Sequence, residues 1–455
     1  MSTKRRCTPR AARGAGLPVL PSGAMRPATP SAALAVRPRG PLDARLRVPG
    51  SRSITNRALV AAALAEGESV LERVGWSDDT RVMRHALAAL GAGIEGEGDA
   101  WTVRGTGGRL RAPPRTLDVG ASGTAARFLT AVCALADGPV VLDGSARMRE
   151  RPIAELVEAL DALGAKGAVL GRAGCPPVRM EGGGIAGGTT RVDARRSGQG
   201  VSGILLAAPY AARDVELRFE GGVLVSRPFV DLTLQVMRAF GAEAGFTEDG
   251  GGVRARAGVP YRARRYAVEP DAQSALYPLA AAAVAGGRVV VTGIPAASRQ
   301  TDLAALDVLA AMGCRVTRHP DAVEVTGPAA GARLVGVDVD MNAIPDAVLA
   351  LAVVALFADG PSTFRNVAHM RVKESDRLAA LERELTRLGA RAEAAGDALR
   401  VEPGPLRGAV IETYDDHRMA MAFALAGLRI PGVAIQDPGC VSKTWPDYFR
   451  ALEGL

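Results

Sequence analysis

Residues 371–377 read Arg-Val-Lys-Glu-Ser-Asp-Arg, three cations and two carboxylates in seven positions. A solvated helix face would spread such charges at i,i+4 spacing. Here they crowd the start of an element, just after an apolar region punctuated by Gly and Pro (residues 347–361). That crowding suits a site that holds a multiply charged anion while moving a proton. The plainer reading is an ordinary charged helix start. Two further segments weigh against it: Thr413-Tyr-Asp-Asp-His-Arg418-Met, and Val441-Ser-Lys443-Thr-Trp-Pro-Asp-Tyr. Asp415 and Asp416 could simply favour a helix dipole, but Arg418 is poorly placed at a helix start unless an anion joins it.

Ile344-Pro-Asp346-Ala puts a lone carboxylate directly before a continuous apolar stretch. Asp346 is read either as a helix N-cap or as a general base kept ionised by nearby cations. Pro49-Gly-Ser-Arg52-Ser53-Ile-Thr-Asn-Arg57 joins a strand to an Ala-rich helix, whose exposed N–H groups favour an anion. Gly120-Ala-Ser-Gly123-Thr124-Ala-Ala-Arg127 is a second helix-opening loop; it lacks the Lys-Ser/Thr of a nucleotide P-loop. Arg147-Met-Arg-Glu-Arg151-Pro-Ile, Asp193-Ala-Arg-Arg-Ser197-Gly198-Gln199 and Val225-Ser226-Arg-Pro-Phe229 add guanidinium, hydroxyl and amide donors suited to phosphoryl oxygens. Taken singly, each of these is as readily a capped helix or a turn.

The elements that must position these residues recur. A helix ending in Gly-Ala or Gly-Cys, followed by two short strands, appears around Gly91, Gly164, Gly241, Gly313 and Gly389, spaced 73, 77, 72 and 76 residues apart. Each Gly fits the position just past a helix end, where φ must be positive. The period exceeds that of solenoid repeats, so each unit reads as a small α/β subdomain. A sixth unit is expected to be split between the chain's beginning, from Leu42, and its end, residues 434–455. Crossings between two groups of three units are expected at residues 48–51 and 268–271.

Bulk properties narrow the classes. A chain of 455 residues calls for more than one core. The net charge of +8 comes from residues 1–42, which carry eight basic residues and no acid; the remainder holds 48 of each sign. A general nucleic-acid footprint is therefore excluded. The Ala/Pro/Gly/Arg-rich tail is expected to be disordered, an extension or a stretch upstream of a start at Met25. The longest apolar runs, residues 275–285 and 347–358, fall short of the ~20 residues that span a membrane. Five scattered cysteines and four histidines offer neither a disulfide framework nor a metal site, and point to a reducing compartment.

In this order the segments resemble the enolpyruvyl transferases, and among them the EPSP synthase family of the shikimate pathway, from about Leu42 to Leu455. The resemblance rests on Pro-Gly-Ser-x-Ser-x-x-Asn-Arg, Gly-Thr-Ala-x-Arg, Arg-Met-x-x-Arg-Pro-Ile, Arg-Val-Lys-Glu-Ser-Asp-Arg, Asp-His-Arg-Met-Ala-Met and Ser-Lys-Thr-x-Pro-Asp-Tyr. It implies an α/β protein, a two-lobed inside-out α/β barrel with three βαβαββ repeats per lobe. The tail would be residues 1–41, the upper lobe 50–268, and the lower lobe 42–49 plus 269–455. It further implies a cytoplasmic monomer, with plastid import by the tail as the alternative, and partners limited to phosphoenolpyruvate and shikimate 3-phosphate, with no nucleic acid, membrane, metal or cofactor.

By the same resemblance, Asp346 accepts the proton of the attacking hydroxyl, Glu374 gives and retakes a proton at the methylene, and Arg52 takes part in catalysis while contacting both substrates. Ser53, Arg57, Ser197, Gly198, Gln199, Ser226, Asp346, His369 and Lys373 would hold shikimate 3-phosphate. Gly123, Thr124, Arg151, Gln199, Arg377, Arg418 and Lys443 would hold phosphoenolpyruvate. The chain departs from the family pattern at Arg52 (commonly Lys), Gly198 (Ser), Ala121 (Asn), Phe229 (Tyr) and His369 (Asn), which leaves a different hydroxylated acceptor as the alternative. A sister activity on UDP-N-acetylglucosamine is disfavoured because no cysteine lies in a comparable charged loop.

Overall fold

The computed structural model describes residues 33–455 apart from Arg196, Ser226, Ala330 and Gly331. Twelve α-helices follow one another among these residues: α1 (Arg52–Leu64), α2 (Asp78–Ala89), α3 (Gly123–Cys133), α4 (Ala154–Ala162), α5 (Gln199–Ala207), α6 (Arg227–Ala239), α7 (Ala272–Ala285), α8 (Ala305–Ala311), α9 (Val348–Ala355), α10 (Arg377–Arg387), α11 (His417–Gly427) and α12 (Tyr448–Glu453). Short strands separate them, giving a mixed α/β architecture.

Five sheets share one plan: a parallel pair of strands extended by two antiparallel ones. Glu68–Glu72 pairs in parallel with Arg265–Ala267 and continues antiparallel into Ala100–Arg104 and Gly93–Glu95. The same plan is built on Leu117–Asp118 with Val140–Asp143, Gly188–Ala194 with Val215–Leu224, Leu42–Leu46 with Gly287–Thr292, and Asp338–Asp340 with Ser362–Arg365. The five repeat glycines follow α2, α4, α6, α8 and α10 with φ between 80° and 109°, a region that a side chain strongly disfavours.

The sixth unit differs from expectation. Its parallel pair is Val410–Ile411 with Ala434–Ile435, and its third strand is Leu34–Ala35, antiparallel to Ala434–Ile435. Leu42–Leu46 instead serves the sheet of Gly287–Thr292. The expected tail of residues 1–41 is thus too long: Val36 N donates to Val433 O and Arg39 N to Leu428 O. Val36 also lies on Gly427, where an added Cβ would meet its Cβ at 2.4 Å. Backbone pairing overrides the polar composition there. The rest of the expected tail, with Met25, lies outside the described residues.

Apolar side chains gather in two separate cores. One draws on residues from Ile54 to Val268, the other on Leu42, Val48 and residues from Ala272 to Leu452. Alanine dominates both, and packed Ala-rich helices such as α7, α9 and α11 lie wholly within them. The chain passes between the cores twice, and the two passages lie side by side: Gly50 and Pro270 form an antiparallel bridge, Ser51 N donates to Glu269 O at 2.7 Å, and Asp271 N donates to Pro49 O at 2.8 Å. No helix of the described residues is long and apolar enough to cross a membrane.

Candidate active site

Helix beginnings line the space between the cores. Asp376 caps α10 through Ala379 N, so the heptad is indeed a helix start. The residue after the cap is nonetheless a buried cation. Arg377 binds three carboxylates: Asp416 through Nε (2.7 Å) and Nη2 (3.2 Å), Asp346 through Nη1 (2.8 Å) and Glu374 through Nη2 (2.9 Å). Arg418, the second residue of α11, meets Asp346 at 3.1 Å, so an anion does join this helix-start cation. Lys443 Nζ donates to Glu374 Oε1 at 3.0 Å from the turn Pro438–Lys443.

Asp346 therefore does not cap a helix. It sits in the turn Pro345–Ala347 ahead of α9, ion-paired on both oxygens. Burial alone would push its carboxyl up, but Arg418, Arg377 and Lys373 together hold it far below the ordinary carboxylate range. Glu374 behaves alike: burial is outweighed by Arg377 and Lys443, and the group stays ionised. Lys373 is pushed down by burial, an effect partly offset by Asp346. His417, buried with neither ring nitrogen hydrogen-bonded among the described residues and Nδ1 3.7 Å from Asp416 Oδ1, is held well below its usual value by burial and Arg418 and is neutral.

Arg52 opens α1 on the other side of the crossing, with Nη1 on Asp79 Oδ2 at 2.8 Å and Nη2 3.5 Å from Gln273 Oε1. Ser53, Phe229, Gln273 and Asp302 line a small cleft. Arg57 is buried and engaged within the protein by Thr233 Oγ1 (2.7 Å), Ser53 O (2.8 Å) and Phe229 O (3.0 Å), and burial pulls it down to about 9. Gly123 and Thr124 begin α3 above Arg151; a Cβ at position 123 would fall 2.6 Å from Arg151 Nη2. The guanidinium of Arg151 is near enough to lower Lys373 and Glu374. Arg147 Nη2 donates to Lys373 O at 3.0 Å and Ser442 Oγ to Asp78 Oδ2 at 2.7 Å, both from one core to the other.

Ser197, Gly198 and Gln199 stand at the start of α5, where Ser197 Oγ accepts from Gln199 N at 3.2 Å. Glycine at 198 has a packing reason: a Cβ would lie 3.1 Å from Val225 O and 3.4 Å from Val230 Cγ2. His369 lies in the turn Ala368–Val372, its Nε2 buried without a partner among the described residues, and is pushed down by burial and Lys373. Ser226 lies outside the described residues.

The structure thus joins Asp346, Glu374, Arg377, Arg418 and Lys443 directly, links Arg52 to them through Gln273, and sets Arg151 and Lys373 within electrostatic reach. Arg371 is peripheral, bonded to Ala394 O. Sequence reasoning missed Gln273, Asp302 and Asp79, and saw Asp416 only as a dipole partner. A polar pair such as Gln273-Ser274 opening an otherwise Ala-rich helix was the available signal for the first.

Two α/β cores with cations converging from both around ionised carboxylates form a site suited to anionic ligands and to proton transfer. Comparison with known proteins makes this specific. The family described as EPSP synthase (3-phosphoshikimate 1-carboxyvinyltransferase) matches residues 36–452. A relative from Trichormus variabilis named 3-phosphoshikimate 1-carboxyvinyltransferase is 45% identical over 90% of this chain and 95% of its own length. One of the same name from Thiobacillus denitrificans is 48% identical over 90% and 95%. An EPSP synthase structure from Acinetobacter baumannii superposes with a TM-score of 0.79 at 26% identity, over 93% of this chain and 98% of that one. The chain belongs to the EPSP synthase family.

Proposed function

We propose that this chain transfers the enolpyruvyl group of phosphoenolpyruvate to the 5-hydroxyl of shikimate 3-phosphate and releases phosphate. One observation carries the reading: Arg377 holds two carboxylates at once, Asp346 at 2.8 Å and Glu374 at 2.9 Å. A reaction that takes a proton from a hydroxyl and adds one to a methylene needs two such groups. Asp346 accepts the hydroxyl proton as the oxygen bonds to C2 of phosphoenolpyruvate, while Glu374, protonated, gives a proton to C3. The tetrahedral intermediate then loses phosphate as Glu374 retakes a proton from the methyl group; the proton on Asp346 passes to the leaving phosphate.

Both carboxylates are ionised when only the arginines and lysines face them. Two polyanionic substrates would compete for those cations, weaken their field at Glu374 and so raise its affinity for the proton it must donate. Phosphoenolpyruvate would be held by Arg52, Gly123, Thr124, Arg151, Gln199, Arg377, Arg418 and Lys443. Shikimate 3-phosphate would be held by Arg52, Ser53, Arg57, Ser197, Gly198, Gln199, Ser226, His369 and Lys373. The two cores would be the lobes of an inside-out barrel that close on substrate, in a cytoplasmic monomer; Cys133, Cys175, Cys314 and Cys440 are free thiols, as a reducing compartment requires.

A second reading, a different hydroxylated acceptor, is favoured by Gly198 itself, which supplies no hydroxyl at that position. Phosphate release from phosphoenolpyruvate, measured with shikimate 3-phosphate, shikimate and UDP-N-acetylglucosamine in parallel, decides between them. Release with shikimate 3-phosphate alone is expected, and its absence would overturn the first reading.

A further inference from the structure

Gln273, the second residue of α7, belongs to none of the charged motifs, yet its carboxamide is saturated. Oε1 accepts from Arg418 Nη2 and, at 3.5 Å, from Arg52 Nη2. Nε2 donates to Asp302 Oδ1 at 3.1 Å and to Asp346 Oδ2 at 3.3 Å. Two guanidinium groups can meet only the oxygen and two carboxylates only the nitrogen, so the amide has a single workable orientation. Its partners come from α1, the turn Thr301–Ala304, the turn Pro345–Ala347 and α11. Arg52 belongs to the other side of the chain crossing.

Asp302 lies on the wall of the cleft that Ser53 and Phe229 also line. Burial, then the like charges of Asp346 and Asp271, push it up to about 7, against the opposing pull of Arg418 and the amide of Gln273. Arg299 lines the same cleft. Asp346 in turn is faced by Arg418 from α11, Arg377 from α10, and Lys373 and Glu374 from the loop before it. One NH₂ group therefore bridges a carboxylate fixed in its ionised form and a carboxyl that changes charge near neutrality.

We infer that Gln273 is a positioning residue for the acceptor side of the reaction. It orients Asp346, keeps Arg52 in register with it across the crossing, and ties Asp346 to the buried carboxyl of Asp302. When Asp302 ionises, it adds negative charge beside Asp346 and competes for Nε2, which makes Asp346 the stronger proton acceptor. The rate therefore rises as pH passes through neutrality, and Gln273 is the connection. The kinetic part of this inference rests on the reaction proposed above; the placement of Asp346 does not.

The test compares wild type with Gln273→Leu and with the isosteric Gln273→Glu. Steady-state phosphate release is followed across the neutral pH range with phosphoenolpyruvate and shikimate 3-phosphate, beside ¹³C NMR titration of labelled Asp carboxyls, with Asp346 assigned through Asp346→Asn. In Gln273→Leu, kcat is expected to fall ~10- to 100-fold, with the rise near neutrality flattened. The Asp346 resonance should titrate at higher pH than in wild type, and higher still in Gln273→Glu. Wild-type kcat and pH profile in both variants would overturn the inference. So would a fall in kcat that matches lost folded protein with the Asp346 titration unmoved. The NMR readout needs no turnover: a wild-type enzyme inactive on shikimate 3-phosphate would sink the reaction assignment, while the positioning role still stands or falls on the Asp346 shift.

Discussion

Arg377 and Asp416 meet through two hydrogen bonds, Nε to Oδ2 at 2.7 Å and Nη2 to Oδ1 at 3.2 Å, with both side chains out of solvent. Asp416 also accepts from Arg418 N at 3.0 Å as the N-cap of α11. One carboxylate thus seats two cations, the first by an ion pair and the second by fixing the helix start that carries it. Truncating one partner of a buried pair strands the other. Asp416→Ala should therefore cost ~3–5 kcal/mol of unfolding free energy, read as a lower denaturant midpoint. A loss below ~1 kcal/mol would show that Asp346 and Glu374 seat Arg377 unaided.

The two carboxylates that share Arg377 with Asp416 should be separable by kinetics. Asp346→Asn and Glu374→Gln keep size while removing the charge and the proton exchange, and each should lower kcat at least ~10²-fold. Single-turnover measurements should show both variants slowing formation of the tetrahedral intermediate, with Glu374→Gln also slowing the loss of the methyl proton in its breakdown. Near-normal rates in either variant would remove that residue from the chemistry.

Arg52 invites replacement by Lys, the residue its family commonly carries there, and sequence alone suggests that the exchange raises or preserves turnover. The structure argues otherwise. The guanidinium fork spans Asp79 at 2.8 Å and Gln273 at 3.5 Å, a reach that a single ammonium cannot duplicate. Arg52→Lys should lower kcat/KM about tenfold, the cost of roughly one charge-assisted hydrogen bond. Equal or better turnover would mean that this pocket retains the Lys geometry.

Asp302 makes the pH dependence of stability run against that of its neighbours. Asp346 and Glu374 are held below the ordinary carboxylate range, so the stability they contribute is present above about pH 4 and lost on acidification. Asp302 is raised to about 7. Folding binds its proton more tightly, so stability falls as pH climbs from about 4 to 7. Asp302→Asn should be more stable than wild type above neutrality, with the advantage vanishing in mild acid; thermal unfolding at two pH values settles the point. An equal effect at both would show that Asp302 does not change charge in that window.

The repeat was legible because it depends on local chemistry: glycines past helix ends and alternating strand pairs need no knowledge of distant residues. The heptad was legible because its five charges crowd into seven consecutive residues. Gln273 and Asp302 were not, since an amide in an Ala-rich helix and an acid beside a turn look like caps until folding brings α7 against the turn Pro345–Ala347. The end of the tail was misjudged for a related reason. Leu34–Ala35 becomes a strand only because Ala434–Ile435, four hundred residues later, offers it an edge.

The double passage of the chain has a mechanical meaning. Gly50 and Pro270 lie against each other, and Arg52 and Gln273 stand two and three residues beyond that point. Swinging one half of the molecule about this pivot displaces each atom in proportion to its distance from the axis. The contacts Arg147–Lys373 and Ser442–Asp78, far from the pivot in sequence, would be broken by such a swing. Arg52 and Gln273 sit at the hinge pin, where the same swing scarcely changes their separation. Such a swing would widen the space between the cores while leaving its innermost charges at their present spacing.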